Sequence, residues 1–520
     1  MPAPLLIILP RGLGVSGVTT WALRLGGGLA ARGRRIGILA PRGPHDPDMP
    51  AGVEAFLCEG LPIDSLAGDL SAILPHCGAA IDAMAGRPLI VSPNLHGDCY
   101  GAAVELARTR EDIRIVGWQH SDIAYDTHIL RWYSPAITRF IAVSARTSDR
   151  LRAAIPDRAA DIDRIPYGVP VPEAPPRRAA LRSRPVRLLY AGRLDHEQKR
   201  TGALAPMMDA LGAAGVAAEL TIAGDGPARA EIESAARARS DIRLLGPQPP
   251  ARIGALLDEA DLFVLPSRYE GLSVAMLEAM ARACPPILAR VDSGLEDAVR
   301  GGDSGIIADV GPDAGADETG AAMAHAVVRA MTSGRDRLGA GAHRAASAFS
   351  LDRHLDRVET MLDAAAAAPP PVWPADRPAA FSAWDPRYGS GSVPPDGPMR
   401  LARALDALAI TGARIAIHGA GEHTRQLADI IEQRLGRVAC FCDDNPAAWG
   451  GTLLGRPIVA PGAAAGHGAT HALISSWLHE EDIWRRRGSY ERQGLEVLRL
   501  YEPHSTPDGA PLPAHRTVQT

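Results

Sequence analysis

Lysine is nearly missing from this sequence: of 55 basic Lys and Arg side chains in 520 residues, one is a lysine, Lys199. Asparagine and phenylalanine are also scarce, whereas alanine, glycine and proline abound, a bias that GC-rich coding produces without functional pressure. A single lysine leaves Schiff-base chemistry one candidate residue and removes a lysine-bearing P-loop from everywhere else. The six cysteines (Cys58, Cys77, Cys99, Cys284, Cys440 and Cys442) are scattered, with neither paired zinc spacing nor a small-domain disulfide framework. Cys440 and Cys442 are too close for the usual C-x-x-C ligand turn and read as structural. No apolar run approaches the ~18 residues of a membrane span. The opening "LLIIL" lacks a basic n-region and suits a buried strand better than a signal peptide. A net charge of −5 lacks the basic surplus expected of a nucleic-acid binder. The expectation is a cytoplasmic chain with no nucleic-acid partner, with peripheral contact at the inner membrane surface left open.

What is present is repetition of strand and helix. "LLIIL", "RIGIL", "PLIVS", "IRIVGW" and "RFIAVS" each precede a turn and a helical pattern, which predicts a parallel sheet covered on both faces. After the proline-rich "IPYGVPVPEAPPRRAALRSRP" the alternation restarts with "VRLLYAG", "AELTIAG", "IRLLG", "DLFVLPS" and "PPILAR". A second proline-rich stretch precedes "RIAIHGAGEHTRQLADIIEQRLGRVACFCDD", again strand, glycine turn, helix and strand. The reading is α/β throughout, with domains at 1–170 and 171–366, a linker at 367–397, a third small Rossmann-like domain at 398–505 and a polar tail at 506–520.

"GLGVSGVTT" (12–20) fits G-x-G-x-x-G through Gly12, Gly14 and Gly17, yet Val18 stands where a P-loop needs lysine and "RIGILAPRG" offers no ribose-binding acid. A glycine turn between strand and helix remains, suited to an anion or a sugar hydroxyl near Gly14, or to tight packing. In "RYEGLSVAMLEAMA" (268–281), Ser273 reads as an N-cap, with Glu270 in the preceding loop and Glu278 inside the helix. At ~1.5 Å of rise per residue the two carboxylates cannot share one atom, but can hold two ends of an extended ligand. The N–H groups of Gly271, Leu272 and Ser273 aim between them. The strings "DPD" (46–48) and "DID" (161–163) do not follow a buried strand and read as turns rather than metal sites.

Together, "GRLDHEQKR", "LTIAGDGPARAEIE", "ADLFVLPSRYEGLSVAMLEAMA" and "FIAVSARTSDRL" resemble glycosyltransferase family 4, over roughly residues 1–365. The resemblance implies a GT-B fold, two Rossmann-like domains facing a cleft, and a retaining transfer from a nucleotide sugar. It implies that Glu270 takes the sugar hydroxyls and Glu278 the ribose, that Arg193 and Lys199 hold the donor diphosphate, and that His120, ending "IRIVGWQH", faces the sugar. His96 in "SPNLHGD" is a second cleft candidate. Two departures stand out. Tyr167 replaces the asparagine usual before the interdomain glycine, and the lysine lies one residue farther from the arginine than in many members. No cofactor and no metal are expected, since fixed cations can stabilise the leaving diphosphate. The acceptor expected is a saccharide or lipid-linked molecule of cell-envelope biosynthesis. Alternatives are a GT-B-shaped epimerase, or a non-catalytic scaffold acting through the third domain, where Gly419, Gly421 and Asp443 form a weak nucleotide fingerprint.

Overall fold

The computed structural model describes residues 2–501, except 11, 15, 44–45, 60–69, 72, 85, 95–96, 177, 179–183, 197, 292, 312–313, 371, 376, 378, 380–396 and 477–479. His96, the outer part of the expected linker and the 506–520 tail therefore lie outside the described residues.

The first sheet has seven strands: β1 (Leu5–Ile8), β2 (Ile36–Pro41), β3 (Val53–Cys58), β4 (Leu89–Pro93), β5 (Ile113–Gln119), β6 (Ile137–Ala142) and β7 (Ile162–Arg164). Their order is β3-β2-β1-β4-β5-β6-β7, all parallel. The second comprises β8 (Val186–Ala191), β9 (Ala218–Ala223), β10 (Ile242–Gly246), β11 (Leu262–Leu265), β12 (Pro286–Ala289) and β13 (Ile306–Ala308). It repeats the pattern as β10-β9-β8-β11-β12-β13. Strands β1, β4 and β11 are buried at every position because helices cover both faces, so they read as unbroken apolar runs rather than alternating ones. Strands β3, β7 and β13 were not among the runs singled out. β3 is only half-buried, and β7 and β13 are three residues each, too short to show a period. In each sheet the strand order reverses beside the first strand, where an open α/β sheet leaves a crevice at its carboxyl edge.

The chain crosses between these domains twice, and the crossings are tied together. Val169 N–H donates to Phe349 O and Leu351 N–H to Val169 O, both at 2.9 Å. The helix Leu351–Ala367, which the sequence reading assigned to the end of the second domain, packs on β4, β5 and β6 and on the helix Gly17–Ala31 of the first. Its buried His354, Leu355, Val358, Met361 and Leu362 supply the apolar face that the first sheet lacks. The expected linker also begins later than 367. Trp373 stacks on Tyr133, Arg377 lies over Trp132, and the Tyr133 hydroxyl donates to Ala379 O at 2.8 Å. The compact unit formed by the two domains reaches residue 380.

At the root of the second domain Asp261, almost fully buried, accepts from Arg184 Nη1 and Nη2 at 2.7 and 2.8 Å, from Arg335 at 2.5 Å and from Arg187 N–H at 2.9 Å. Removing one partner of such a buried cluster strands the others. Asp261→Ala is expected to lose about 3–5 kcal/mol of stability, read as a lowered urea midpoint for the two-domain unit.

The second unit holds a third sheet of β14 (Ile415–His418), β15 (Val438–Cys442), β16 (Thr452–Leu453), β17 (Arg456–Val459), β18 (His471–Ile474) and β19 (Glu496–Arg499), ordered β16-β17-β15-β14-β18-β19. Only the β16–β17 pair is antiparallel. Alternate residues feed two cores: Ile415, Ile417 and Phe441 on one face, Ala416, Cys440 and Cys442 on the other. The two thiols thus share a face as packing groups, and all six cysteines are buried and free. No described helix is long and apolar enough to cross a membrane.

Candidate active site

A cavity of about 430 Å³ lies between the first two domains, lined from the carboxyl ends of both sheets. From the first come Gly14, Gly17 and His120, and from the second Arg193, Lys199, Glu270, Gly271 to Ser273 and Glu278. Every described residue expected in the donor site from residues 1–365 of the sequence therefore lines one cavity, His96 lying outside the described residues.

The lysine is set in place by its neighbours. Asp195 Oδ1 accepts the N–H of Gln198 at 2.7 Å and of Lys199 at 3.3 Å, and Asp195 Oδ2 pairs with Arg193 at 2.5 Å. This brings Arg193 to Asp195 back against Gln198 and Lys199, so that both cations face the cleft. Arg200, in the left-handed conformation at φ 46°, buries its guanidinium on the opposite side. It donates there to Pro266 O at 2.8 Å and Ser267 O at 3.1 Å, which fastens this loop to the one carrying Glu270. Lys199 Nζ then sits 2.5 Å from Glu270 Oε1, which also accepts from the Ser267 hydroxyl at 2.7 Å. Arg193 Nη2 donates to Gln198 Oε1 at 3.0 Å.

Ser273 caps the helix Val274–Ala281, its hydroxyl accepting Met276 N–H at 3.3 Å. Among the described residues the N–H groups of Gly271, Leu272 and Ser273 have no acceptor, so the positive end of the helix opens into the cavity. Gly271 has to be glycine here: a Cβ would collide with the His120 carbonyl oxygen and crowd the Ser121 backbone across the cleft. Glu278, one turn farther, pairs with Arg24 of the opposite helix Gly17–Ala31. On that side Ser16 caps the helix by accepting Thr19 N–H at 3.0 Å, and Gly14 faces open space. Gly12 needs its φ of +73° for the turn, which separates conformational duty at Gly12 from ligand access at Gly14.

His120 is buried, with both ring nitrogens engaged: Nδ1 with the Tyr167 hydroxyl at 2.7 Å and Nε2 with Asn94 Oδ1 at 2.8 Å. Asn94 Nδ2 already donates to Ile8 O and Ser92 O, so its Oδ1 must accept. The imidazole is therefore neutral, donating from Nε2 and accepting the Tyr167 proton at Nδ1. Burial pushes its pKa down to about 3. Tyr167, the departure from the family pattern, thus fixes this ring. Nearby, His354 accepts Trp21 Nε1–H at 3.2 Å and donates to Pro166 O at 2.7 Å, and burial lowers it to about 4. In the third domain burial lowers His423 to about 4 as well.

These three histidines are neutral when folded and titrate near 6.5 when unfolded. Between about pH 4 and 6.5 the unfolded chain binds more protons, so stability is full above that window and falls with pH by up to about 1.4 kcal/mol per unit per histidine. Calorimetric unfolding at about pH 5.5, in buffers of different ionisation enthalpy, should show a net uptake of roughly two protons: one for each histidine, less the one released by Glu480, whose carboxyl burial raises to about 7. Uptake near zero would contradict the assigned tautomers.

The "DID" acids bridge a 3₁₀ turn and β7 and pair with Arg158 and Arg139, and no described acid, histidine or cysteine cluster has metal-holding geometry. In the third domain Gly419, at φ +108°, passes close to Ser475 O, and Gly421 caps the short helix Glu422–Gln426. Asp443 holds this glycine turn itself, accepting Ala420 N–H and Asn445 N–H, each at 2.9 Å.

Sequence reasoning missed Asp195, Ser267, Asn94 and Arg24. The first was legible as an acid three residues before a loop N–H, a turn signature. Arg24 carried no signal among so many arginines.

Two parallel sheets joined by a double crossing, with their carboxyl edges lining one cleft, define the GT-B class. Residues 15–172 match Glycosyltransferase Family 4 and residues 185–332 match Glycosyl transferases group 1. Over these residues the chain belongs to the family 4 type of glycosyltransferases. It is 40% identical over 108 residues to the putative glycosyltransferase EpsF of Bacillus subtilis, covering 19% of this chain and 28% of that one. It is 33% identical over 174 residues to a GDP-mannose-dependent alpha-(1-6)-phosphatidylinositol dimannoside mannosyltransferase of Mycobacterium tuberculosis, covering 31% and 42%. The chain thus spans about a quarter to a half of the curated relatives it matches. Its fold is similar to that of Anabaena Alr3699/HepE, solved with UDP and glucose (TM-score 0.53, 16% identity, 69% of this chain and 99% of that one). It is also similar to sucrose-phosphate synthase from Thermosynechococcus elongatus (TM-score 0.57, 18% identity, 69% and 98%).

Proposed function

We propose that the cleft transfers a sugar, with retention of configuration and without a metal, from a nucleotide-diphosphate sugar to a saccharide or lipid-linked acceptor of cell-envelope biosynthesis. The observation that carries this reading is the meeting of Arg193, Lys199 and three acceptor-free backbone N–H groups on one wall, beside the buried carboxylate of Glu270. Negative charge develops on a departing diphosphate, and cations and dipoles held in place stabilise it more in the transition state than in the ground state. Lys199 and Glu270 neutralise each other while no donor is bound, and an arriving diphosphate takes over the ammonium. Glu270 is then free to accept from sugar hydroxyls, and Glu278 to accept from the ribose once Arg24 yields it.

Transfer is favoured over epimerisation because His120 has neither ring nitrogen free to move a proton. In this reading its imidazole is a fixed wall of the sugar pocket. Two relatives, an amylovoran biosynthesis glycosyltransferase and the phosphatidylinositol dimannoside mannosyltransferase, support the acceptor class.

The test is to incubate the purified chain with a panel of nucleotide sugars and measure nucleoside diphosphate release, with and without EDTA. Slow release from one donor, unaffected by EDTA, is the expected result. No binding or turnover of any donor would sink the transfer reading, while EDTA-sensitive release would sink only its metal-free part.

A further inference from the structure

A second cavity, of about 530 Å³, shares no lining residue with the cleft. Four arginines line it: Arg164 at the end of β7, Arg300 and Arg344 of the second domain, and Arg357 on the helix that returns to the first sheet. Each is exposed, and among the described residues none makes a side-chain hydrogen bond or ion pair. That sets them apart in a chain whose other arginines are so often paired, as Arg32, Arg139, Arg158, Arg184, Arg239 and Arg282 are. Two acids share the cavity. Asp297 is engaged by Ala145 N–H at 2.7 Å, and Asp303 is exposed. Four cations against two acids leave a surplus of positive charge that the protein does not neutralise. Guanidinium groups lining one concave space match the oxygens of carboxylate or phosphate, and a surplus of this size favours the more highly charged phosphate.

The position adds a second argument. The cavity is walled by both interdomain crossings: Pro166 lines it from the first and Phe349 from the second. Pro166 faces this cavity while the next residue, Tyr167, faces the cleft and holds His120.

We propose that this cavity is a second anion site, which binds a phosphate-bearing ligand of two or more negative charges between the domains at their hinge. The same chemistry is offered by a free phosphorylated compound and by an anionic lipid headgroup. Because the ligand touches both domains, its occupancy favours one interdomain angle and reaches the sugar pocket through the Pro166–Tyr167 segment.

The test uses the full chain with Lys199→Ala, which weakens the cleft for diphosphate, and inorganic pyrophosphate as the probe in calorimetric titration at low ionic strength. Binding should persist in Lys199→Ala and weaken by about tenfold or more when Arg300→Gln and Arg344→Gln are added. The thermal midpoint without ligand should stay unchanged, since both side chains are exposed. Pyrophosphate binding that is absent from Lys199→Ala, or indifferent to the arginine changes, would overturn the proposal. Sedimentation with phosphatidylglycerol vesicles that the double arginine change abolishes would identify a lipid headgroup as the source. Pyrophosphate binding without sedimentation would identify a free phospho-compound.

Discussion

Lys199→Ala should lower the turnover of donor at least ~100-fold, the scale of losing one electrostatic partner made in the transition state. Its fold should remain. The ammonium lies 2.5 Å from Glu270 Oε1, in a loop held by Asp195 and by the buried Arg200 rather than by the lysine itself. Glu270→Ala should cost a similar factor through a different route, by losing the acceptor for sugar hydroxyls. Lys199→Arg separates charge from shape. An arginine keeps the charge but puts a planar fork into a gap between Glu270 and the loop backbone that a compact ammonium fills, so a loss of roughly tenfold is expected. Steady-state diphosphate release, with circular dichroism as the control for folding, reads all three. Wild-type rates in Lys199→Ala would mean that the diphosphate lies elsewhere.

Gly271→Ala should be nearly as damaging while adding only a methyl group. Its Cβ would collide with the His120 carbonyl, which is backbone and cannot swing aside. The strain is most easily relieved by rotating the two domains apart, because the crossings that join them lie elsewhere. We expect kcat/KM to fall by about 100-fold or more, since sub-ångström to ångström misplacement of catalytic groups costs that much. The melting temperature should shift little, and the radius of gyration from small-angle scattering should rise. A variant that melts much earlier instead would show that the contact is needed to fold, and one with normal kinetics would show that closure there is not used.

Most of this architecture could be read from the sequence where the physics is local. Buried parallel strands announce themselves as apolar runs, and Ser273 was recognisable as a cap because a hydroxyl before "VAMLEAMA" has one obvious partner. The glutamate pair, Arg193 and Lys199 were legible through the family resemblance, which supplied roles that spacing alone did not. The missed parts are those where distant residues meet. Nothing in "LDRHLDRVETMLDAAAAA" says which sheet its apolar stripe will cover, because an amphipathic helix fits either. The tautomer of His120 depends on Asn94 and Tyr167, 26 and 47 positions away along the chain. Arg24 meets Glu278 across 254 positions, and one arginine in 54 gives no local sign of its partner.

The return of the helix Leu351–Ala367 to the first sheet bears on how the molecule is made. The first domain is discontinuous: its strands are synthesised before β8 emerges, but the helix that seals β4 to β6 is translated only after the whole second domain. Chains fold as they are synthesised, N-terminal domain first, so the nascent first sheet waits with an apolar face uncovered while the second domain, contiguous from β8 to β13, completes itself. A released chain ending at residue 350, with the helices Ala316–Ser333 and Arg335–Ala346 in place, should therefore display a finished second domain beside an unfinished first one.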